Sequence, residues 1–172
     1  MVHLVVFLCK HERVSQRERA GFELPLLLIG AFRSLIDELH RALAESGHGD
    51  ARPLHGFALQ AIGPDGITIS ELGRQLGVSK QAAAKTVTSL ERAGYVRRGR
   101  DPGDGRAVRV LRTARGREVL ALSAVFFDTY RARLTDALGP RRLAELEDGL
   151  EQMAAPIRDH LRGFPGWLDT TN

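Results

Sequence analysis

The chain has 172 residues, 43% of them hydrophobic and 27% charged, enough for one compact domain or a small domain with helical extensions. A single cysteine, Cys9, excludes an internal disulfide framework, and the apolar run over residues 2–9 falls far short of the roughly 20 residues that span a bilayer. The net charge of +4 is uneven: residues 70–117 hold twelve Lys/Arg against four Asp/Glu, or +8, so the rest of the chain sums to −4. A basic centre between mildly acidic arms suits a protein that presents one face to a polyanion.

Residues 1–20 form a separate compositional zone. An apolar stretch gives way to the charged run from Lys10 to Arg19, which has no helical period. It reads equally as a flexible arm, a partner-contacting segment or a start codon set too early. It lacks the charged n-region and small-residue cleavage site of a signal peptide, so the expected location is the cytoplasm. Residues 22–43 have helical spacing, with Pro25 in the first turn, where a missing N–H is harmless. Leu28, Phe32, Leu35, Leu39 and Leu43 form one stripe, and Leu24, Leu26, Leu27, Ile29 and Ile36 widen it almost around the helix. A helix so apolar needs more than its own domain to cover it.

After the break at Ser46-Gly-His-Gly-Asp-Ala-Arg-Pro53, a second helix carries Leu54, Phe57, Ala58, Ala61 and Ile62 and stops at Gly63-Pro-Asp-Gly66. Thr68 and Glu71 read as a capping box opening a helix that buries Ile69, Leu72 and Leu76 and ends at Gly77. Ser79 caps the next helix, with Ala83, Thr86, Val87 and Leu90 inward and Gly94 as its stop. Residues 95–100 and 107–112 alternate apolar and polar around a Pro/Gly/Asp turn, the pattern of a β-hairpin. Beyond Thr113 a long helix carries Val119, Leu122, Phe126, Tyr130, Leu134 and Leu138, and Gly139-Pro140 breaks it. A last helix carries Leu143, Leu146, Leu150, Met153, Ile157 and Leu161, with Pro156 set to kink it.

The helix begun by Ser79 has the surface a major groove requires. Removing its core positions leaves Lys80, Gln81, Ala84, Lys85 and Thr88 outward, and four of these are neighbours at three- and four-residue spacing. Gln81 can read adenine bidentately, Lys80 or Lys85 can reach guanine or phosphate, and small Ala84 permits close approach or contact with a thymine methyl. Arg97, Arg98, Arg100, Arg106 and Arg109 stand around the hairpin, where a guanidinium on a thin loop can enter a minor groove. Asp104, two residues before Arg106, either orients that arginine or shapes an Asp-Gly turn, or does both.

Gly94-Tyr-Val-Arg-Arg, Asp104-Gly-Arg106 and Thr113-Ala-Arg-Gly116 resemble the MarR family (multiple antibiotic resistance regulators) over about residues 22–162, most closely over 68–116. The resemblance implies a mainly α fold with a small β-hairpin wing, a winged helix-turn-helix with long N- and C-terminal dimerisation helices. It divides the chain into an extension (1–20), an N-terminal dimerisation helix (21–50), a DNA-binding domain (51–116), C-terminal dimerisation helices (117–163) and a tail (164–172). It further implies a homodimeric repressor that grips a pseudo-palindromic operator in double-stranded DNA. Arg112 departs from the leucine common in the family, and residues 1–20 have no family counterpart.

Many relatives are released from DNA by a small aromatic effector lodged between the dimer helices and the winged domain. Here Phe32, Ile36, His40, Phe57, Phe126 and Tyr130 are the expected wall. Cys9 is read as an inert thiol, although Lys10 and His11 beside it leave a peroxide sensor open. His40, His48, His55 and His160 lack metal-ligand spacing, so no metal or other cofactor is expected. Without a phosphate loop, nucleophile elbow or paired-histidine motif, an enzyme is not expected either. The alternatives are a winged-helix module for a protein or RNA partner, or a metal- or peroxide-responsive member of the same family.

Overall fold

In the computed structural model, residues 20–100 and 108–154 are described. The expectations for residues 1–19, 101–107 and 155–172 therefore lie outside the described residues, Cys9, Asp104, Arg106, Pro156 and His160 among them. Among the described residues, six helices and one antiparallel ribbon follow in order: α1 (Glu23–Glu45), α2 (Pro53–Ile62), α3 (Ile69–Gln75), α4 (Lys80–Arg92), β1 (Val96–Arg100), β2 (Val108–Arg112), α5 (Ala114–Leu138) and α6 (Pro140–Ala154). The fold is mainly α with a hairpin wing, as its sequence indicates.

Local chemistry explains most of these boundaries. The side-chain oxygens of Thr68, Ser79 and Thr113 accept from the backbone N–H three residues on, at Glu71, Ala82 and Gly116, opening α3, α4 and α5. Only half of the expected capping box forms: Glu71 turns its carboxylate to Arg74, 3.3 Å away. Helices α3 and α4 give way to glycines in the left-handed region, Gly77 (φ +64°) and Gly94 (φ +74°). Pro53 occupies the first turn of α2, where no N–H is missed.

The core lies where α2, α3 and α4 meet the ribbon and the start of α5. Ala58, Leu59, Ile62, Leu72, Val87, Leu90, Tyr95 and Val110 are almost fully buried there. In the ribbon Val96 pairs with Arg112 and Arg98 with Val110. Ile67, just before α3, adds a bridge to Val110, so this short stretch joins the sheet beside β2. The hairpin pattern alone did not include that third contact.

Glycine 116 sits where α5 passes closest to the ribbon, and a Cβ there would collide with the Tyr95 carbonyl. Thr113 donates to that same carbonyl from its backbone N–H at 3.0 Å, and its hydroxyl donates to the neighbouring Gly94 carbonyl at 2.6 Å. The Thr-Ala-Arg-Gly motif therefore serves to weld α5 to the ribbon.

Outside this core, apolar side chains stay in the open. Phe22 just before α1 and Leu24, Leu26, Leu27, Ile29 and Phe32 on its N-terminal half are exposed, as are Val125 on α5 and Leu146, Leu150 and Met153 on α6. Two exposed ion pairs connect these helices, Arg133 to Glu38 at 2.5 Å and Arg131 to Glu147 at 2.8 Å. At such sites they contribute little to stability. Among the described residues no helix is long and apolar enough to cross a membrane.

Gly116→Ala is expected to lower folding stability by roughly 1–3 kcal/mol through overpacking against the fixed Tyr95 carbonyl. Urea denaturation checks it, and a wild-type midpoint would mean that α5 can back away from the ribbon at no cost.

Candidate nucleic-acid interface

Helix α4 has two opposed faces. Ala83, Val87 and Leu90 are fully buried against the core, while Ser79, Lys80, Gln81, Lys85 and Thr88 are exposed and Ala84 is half-buried. Thirteen residues at 1.5 Å rise make α4 about 20 Å long, a rod that fits a major groove about 12 Å wide. The Thr88 hydroxyl donates to the Ala84 carbonyl at 3.0 Å, which leaves its lone pairs facing outward as acceptors.

The ribbon follows directly. Arg97 and Arg98 are exposed, and Arg100 closes β1 opposite Val108. Arg98 leans back to Glu91 at the end of α4, with Nε 3.3 Å from the carboxylate. Arg109 donates to the Gly66 carbonyl at 2.9 Å, which ties the ribbon to the turn before α3. Arg112 is half-buried at the ribbon base, its Nε without a hydrogen bond, and burial followed by the nearby Arg117 lowers its pKa. Its aliphatic stem fills space there, as a leucine side chain would.

A polar junction that the sequence did not reveal fixes the ribbon to the rest of the fold. The Tyr95 hydroxyl donates to Asp50 Oδ1 at 2.6 Å and lies 3.3 Å from His48 Nδ1. Having given its one proton to Asp50, that oxygen must accept from His48. Arg115 reaches Asp50, the Gly47 carbonyl and the Ala93 carbonyl at 3.0, 3.0 and 3.2 Å, with its guanidinium 5.0 Å from the Tyr95 ring centre. Burial, then the hydrogen bond to Asp50, raises the Tyr95 pKa. Burial alone would raise that of Asp50, but the Tyr95 and Arg115 hydrogen bonds outweigh it and the net shift is downward. His48 and His55 are thus core histidines. Among the described residues no cluster of His, Cys, Asp or Glu could hold a metal ion.

A cavity of about 180 Å³ opens between α1, α2 and the first half of α5. Of the expected wall residues, Phe32, Ile36, His40 and Phe57 line it, but Phe126 and Tyr130 do not. On α5 the lining positions are Val119, Leu120, Ser123 and Phe127, one helical face. Phe126 lies about 100° round the helix from Phe127, since each residue turns it by that angle. It packs instead against the rings of Phe127 and Tyr130, with centres 5.7 and 6.0 Å away.

Two helices joined by a tight turn, the second with a polar outer face, and an arginine-bearing ribbon behind them define a winged helix-turn-helix. The family model of the MarR family matches residues 53–107. No curated protein matches the chain. Similar solved structures include Streptococcus pneumoniae FabT in complex with DNA, at 22% identity and TM-score 0.69, covering 81% of this chain and 99% of that one. A MarR family protein from Bacillus stearothermophilus is 20% identical, TM-score 0.63, over 84% and 99% of the two chains. CouR from Rhodococcus jostii RHA1, bound to p-coumaroyl-CoA, is 20% identical, TM-score 0.55, over 83% and 97%. The chain thus has the winged helix-turn-helix fold of these structures, and its residues 53–107 match the MarR family model.

Tyr95→Phe is expected to cost about 1–2 kcal/mol at neutral pH by removing the hydrogen bond to Asp50. Because folding lowers the Asp50 pKa from its ordinary 3.8, the stability it contributes is present above that value. It is lost as pH falls through the folded value. The deficit of the variant should therefore shrink in acid, as paired denaturation curves at neutral and acidic pH can show.

Proposed function

We propose that the chain is a homodimeric transcription regulator that binds a pseudo-palindromic operator in duplex DNA, represses from it, and is released by a small aromatic ligand. The observation that carries this reading is the division of α4, whose buried face locks it onto the core while Lys80, Gln81, Lys85 and Thr88 stand free on the other side. The DNA complex of the similar FabT structure supports it. In this reading Ser79, Lys80, Gln81, Ala84, Lys85 and Thr88 enter a major groove. Arg97, Arg98, Arg100 and Arg106 serve the flanking backbone and minor groove, with Asp104 orienting Arg106.

Dimerisation is supported by the exposed large apolar residues of α1, α5 and α6, since grouped open apolar side chains mark interaction surfaces. The segments 21–50 and 117–163 would interlock with a second copy, leaving 51–116 as the DNA-binding unit. Half-site centres should then lie about one helical turn, roughly 10 bp, apart. The ligand-bound CouR structure and the cavity between α1, α2 and α5 support release by an effector.

Selection of bound sequences from random duplex DNA should return an inverted repeat with that spacing. The purified protein should sediment as a dimer, and Leu26→Asp should shift it to monomer and abolish operator binding. A stable wild-type monomer, or equal affinity for scrambled duplex, would overturn the proposal.

Arg106→Ala is expected to weaken operator binding about tenfold with the dimer intact, the loss of one groove-inserted guanidinium. Gln81→Ala should lose discrimination at particular base pairs. A uniform loss across sequences in a binding titration would place Gln81 on the backbone instead.

A further inference from the structure

We propose that Lys80 and Lys85 are acylation sites that take an acyl group from a phosphate-bearing donor and thereby weaken DNA binding, a regulation that rests on the DNA-binding reading above. Of the chain's 25 Lys and Arg residues only three are lysines: Lys10, Lys80 and Lys85. Arginine is the default cation here, yet two of the three exceptions fall on the 13-residue α4. Contacts to phosphate and guanine do not select lysine, since a guanidinium makes both at least as well. What lysine alone offers is a primary amine that sheds its proton and becomes a nucleophile, which a guanidinium does not do.

Their placement suits that chemistry. Both side chains are exposed, and at about 100° per residue they stand about 140° apart around α4. Ala84, Thr88 and Gln81 fall in the arc between, so the two amines bracket the outward face. No Asp or Glu occurs over residues 72–90. The carboxylates at either end are engaged, Glu71 with Arg74 and Glu91 with Arg98, both at 3.3 Å. Among the described residues neither amine has an ion-pair or hydrogen-bond partner. The charge around them is positive, with Arg97 and Arg98 exposed on the ribbon that follows. Such a face draws a phosphate-bearing acyl donor for the reason it draws a nucleic-acid backbone.

The step is an acyl transfer. The lone pair of the neutral amine attacks the acyl carbon and a C–N bond forms. The C–O bond to phosphate, or the C–S bond of a thioester, breaks with its electron pair on the leaving group, which takes up the proton that the nitrogen sheds. Each amide so formed removes one positive charge. Counterion release then falls by about 0.9 ion for each phosphate no longer neutralised. Bound duplex in turn shields both amines, which then face phosphate rather than the donor.

The test uses the full-length protein with acetyl phosphate and, separately, acetyl coenzyme A as probes. Peptide mass mapping follows each lysine over time, and duplex affinity is read on the selected operator at several salt concentrations. With at least one donor, Lys80 and Lys85 should acetylate ahead of Lys10, and the operator should protect them but not Lys10. Each acetyl group should weaken operator binding roughly tenfold near 0.1 M salt and flatten the salt slope by about 0.9. Lys80→Gln combined with Lys85→Gln should match the doubly acetylated protein. Lys80→Arg combined with Lys85→Arg should keep its own untreated affinity after exposure to the donor. Slower modification of Lys80 and Lys85 than of Lys10 with both donors, no protection by the operator, or undiminished affinity of the acetylated protein would each overturn the proposal. Failure of the unmodified protein to bind any duplex would overturn the DNA-binding reading instead, and the order of lysine modification would still decide whether α4 carries acylation sites.

Discussion

The Tyr95 carbonyl and hydroxyl together hold this molecule in register. The carbonyl takes a hydrogen bond from the backbone N–H of Thr113, the residue that caps α5, and Gly116 lets that helix lie against it. The hydroxyl reaches across to Asp50 in the loop between α1 and α2, where Arg115 completes the knot. One residue at the mouth of the wing thus connects the end of α4, both helical arms and the ribbon. Its hydrogen bond to an ionised carboxylate is of the stronger kind. The partly exposed Arg115–Asp50 pair adds mainly geometry, because water screens it.

That placement makes the cavity and the wing mechanically adjacent. Tyr95 lines the cavity with one part of its ring and anchors the wing with its backbone. On the neighbouring wall, His55 touches α4 through Ser89. The cavity between α1, α2 and α5 is therefore bounded by residues that also support both proposed DNA-reading elements.

Local signals in the sequence were sufficient for the helices. Thr68, Ser79 and Thr113 cap because a hydroxyl three residues before a free N–H has few better partners, and Gly77 and Gly94 stop because few other residues accept a positive φ. The inner face of α4 followed from spacing alone. What stayed hidden depends on residues far apart in the chain. Asp50, Tyr95 and Arg115 carry no local pattern that joins them, and Ile67 contributes a single bridge to Val110, too short to alternate. Phe126 and Phe127 are adjacent on a helix apolar over a wide arc, and only the packing of α5 against α1 and α2 decides which of them faces the cavity.

The charge of the central segment needs the same correction. Its twelve cations gave a surplus that pointed to a polyanion, yet several of them work within the fold. Arg115 binds two carbonyls and Asp50, Arg109 holds the Gly66 turn, Arg98 pairs with Glu91, Arg74 with Glu71, and Arg112 is half-buried. Counterion release scales with the phosphates a protein neutralises, by about 0.9 ion for each. The salt dependence of duplex binding should therefore reflect Lys80, Lys85, Arg97 and the wing arginines rather than the whole surplus. Arginine suits both tasks because its planar fork can satisfy several acceptors at once, whether they are carbonyls at a helix junction or oxygens of a phosphate. A basic sequence window thus marks where the fold and a polyanion make the same chemical demand.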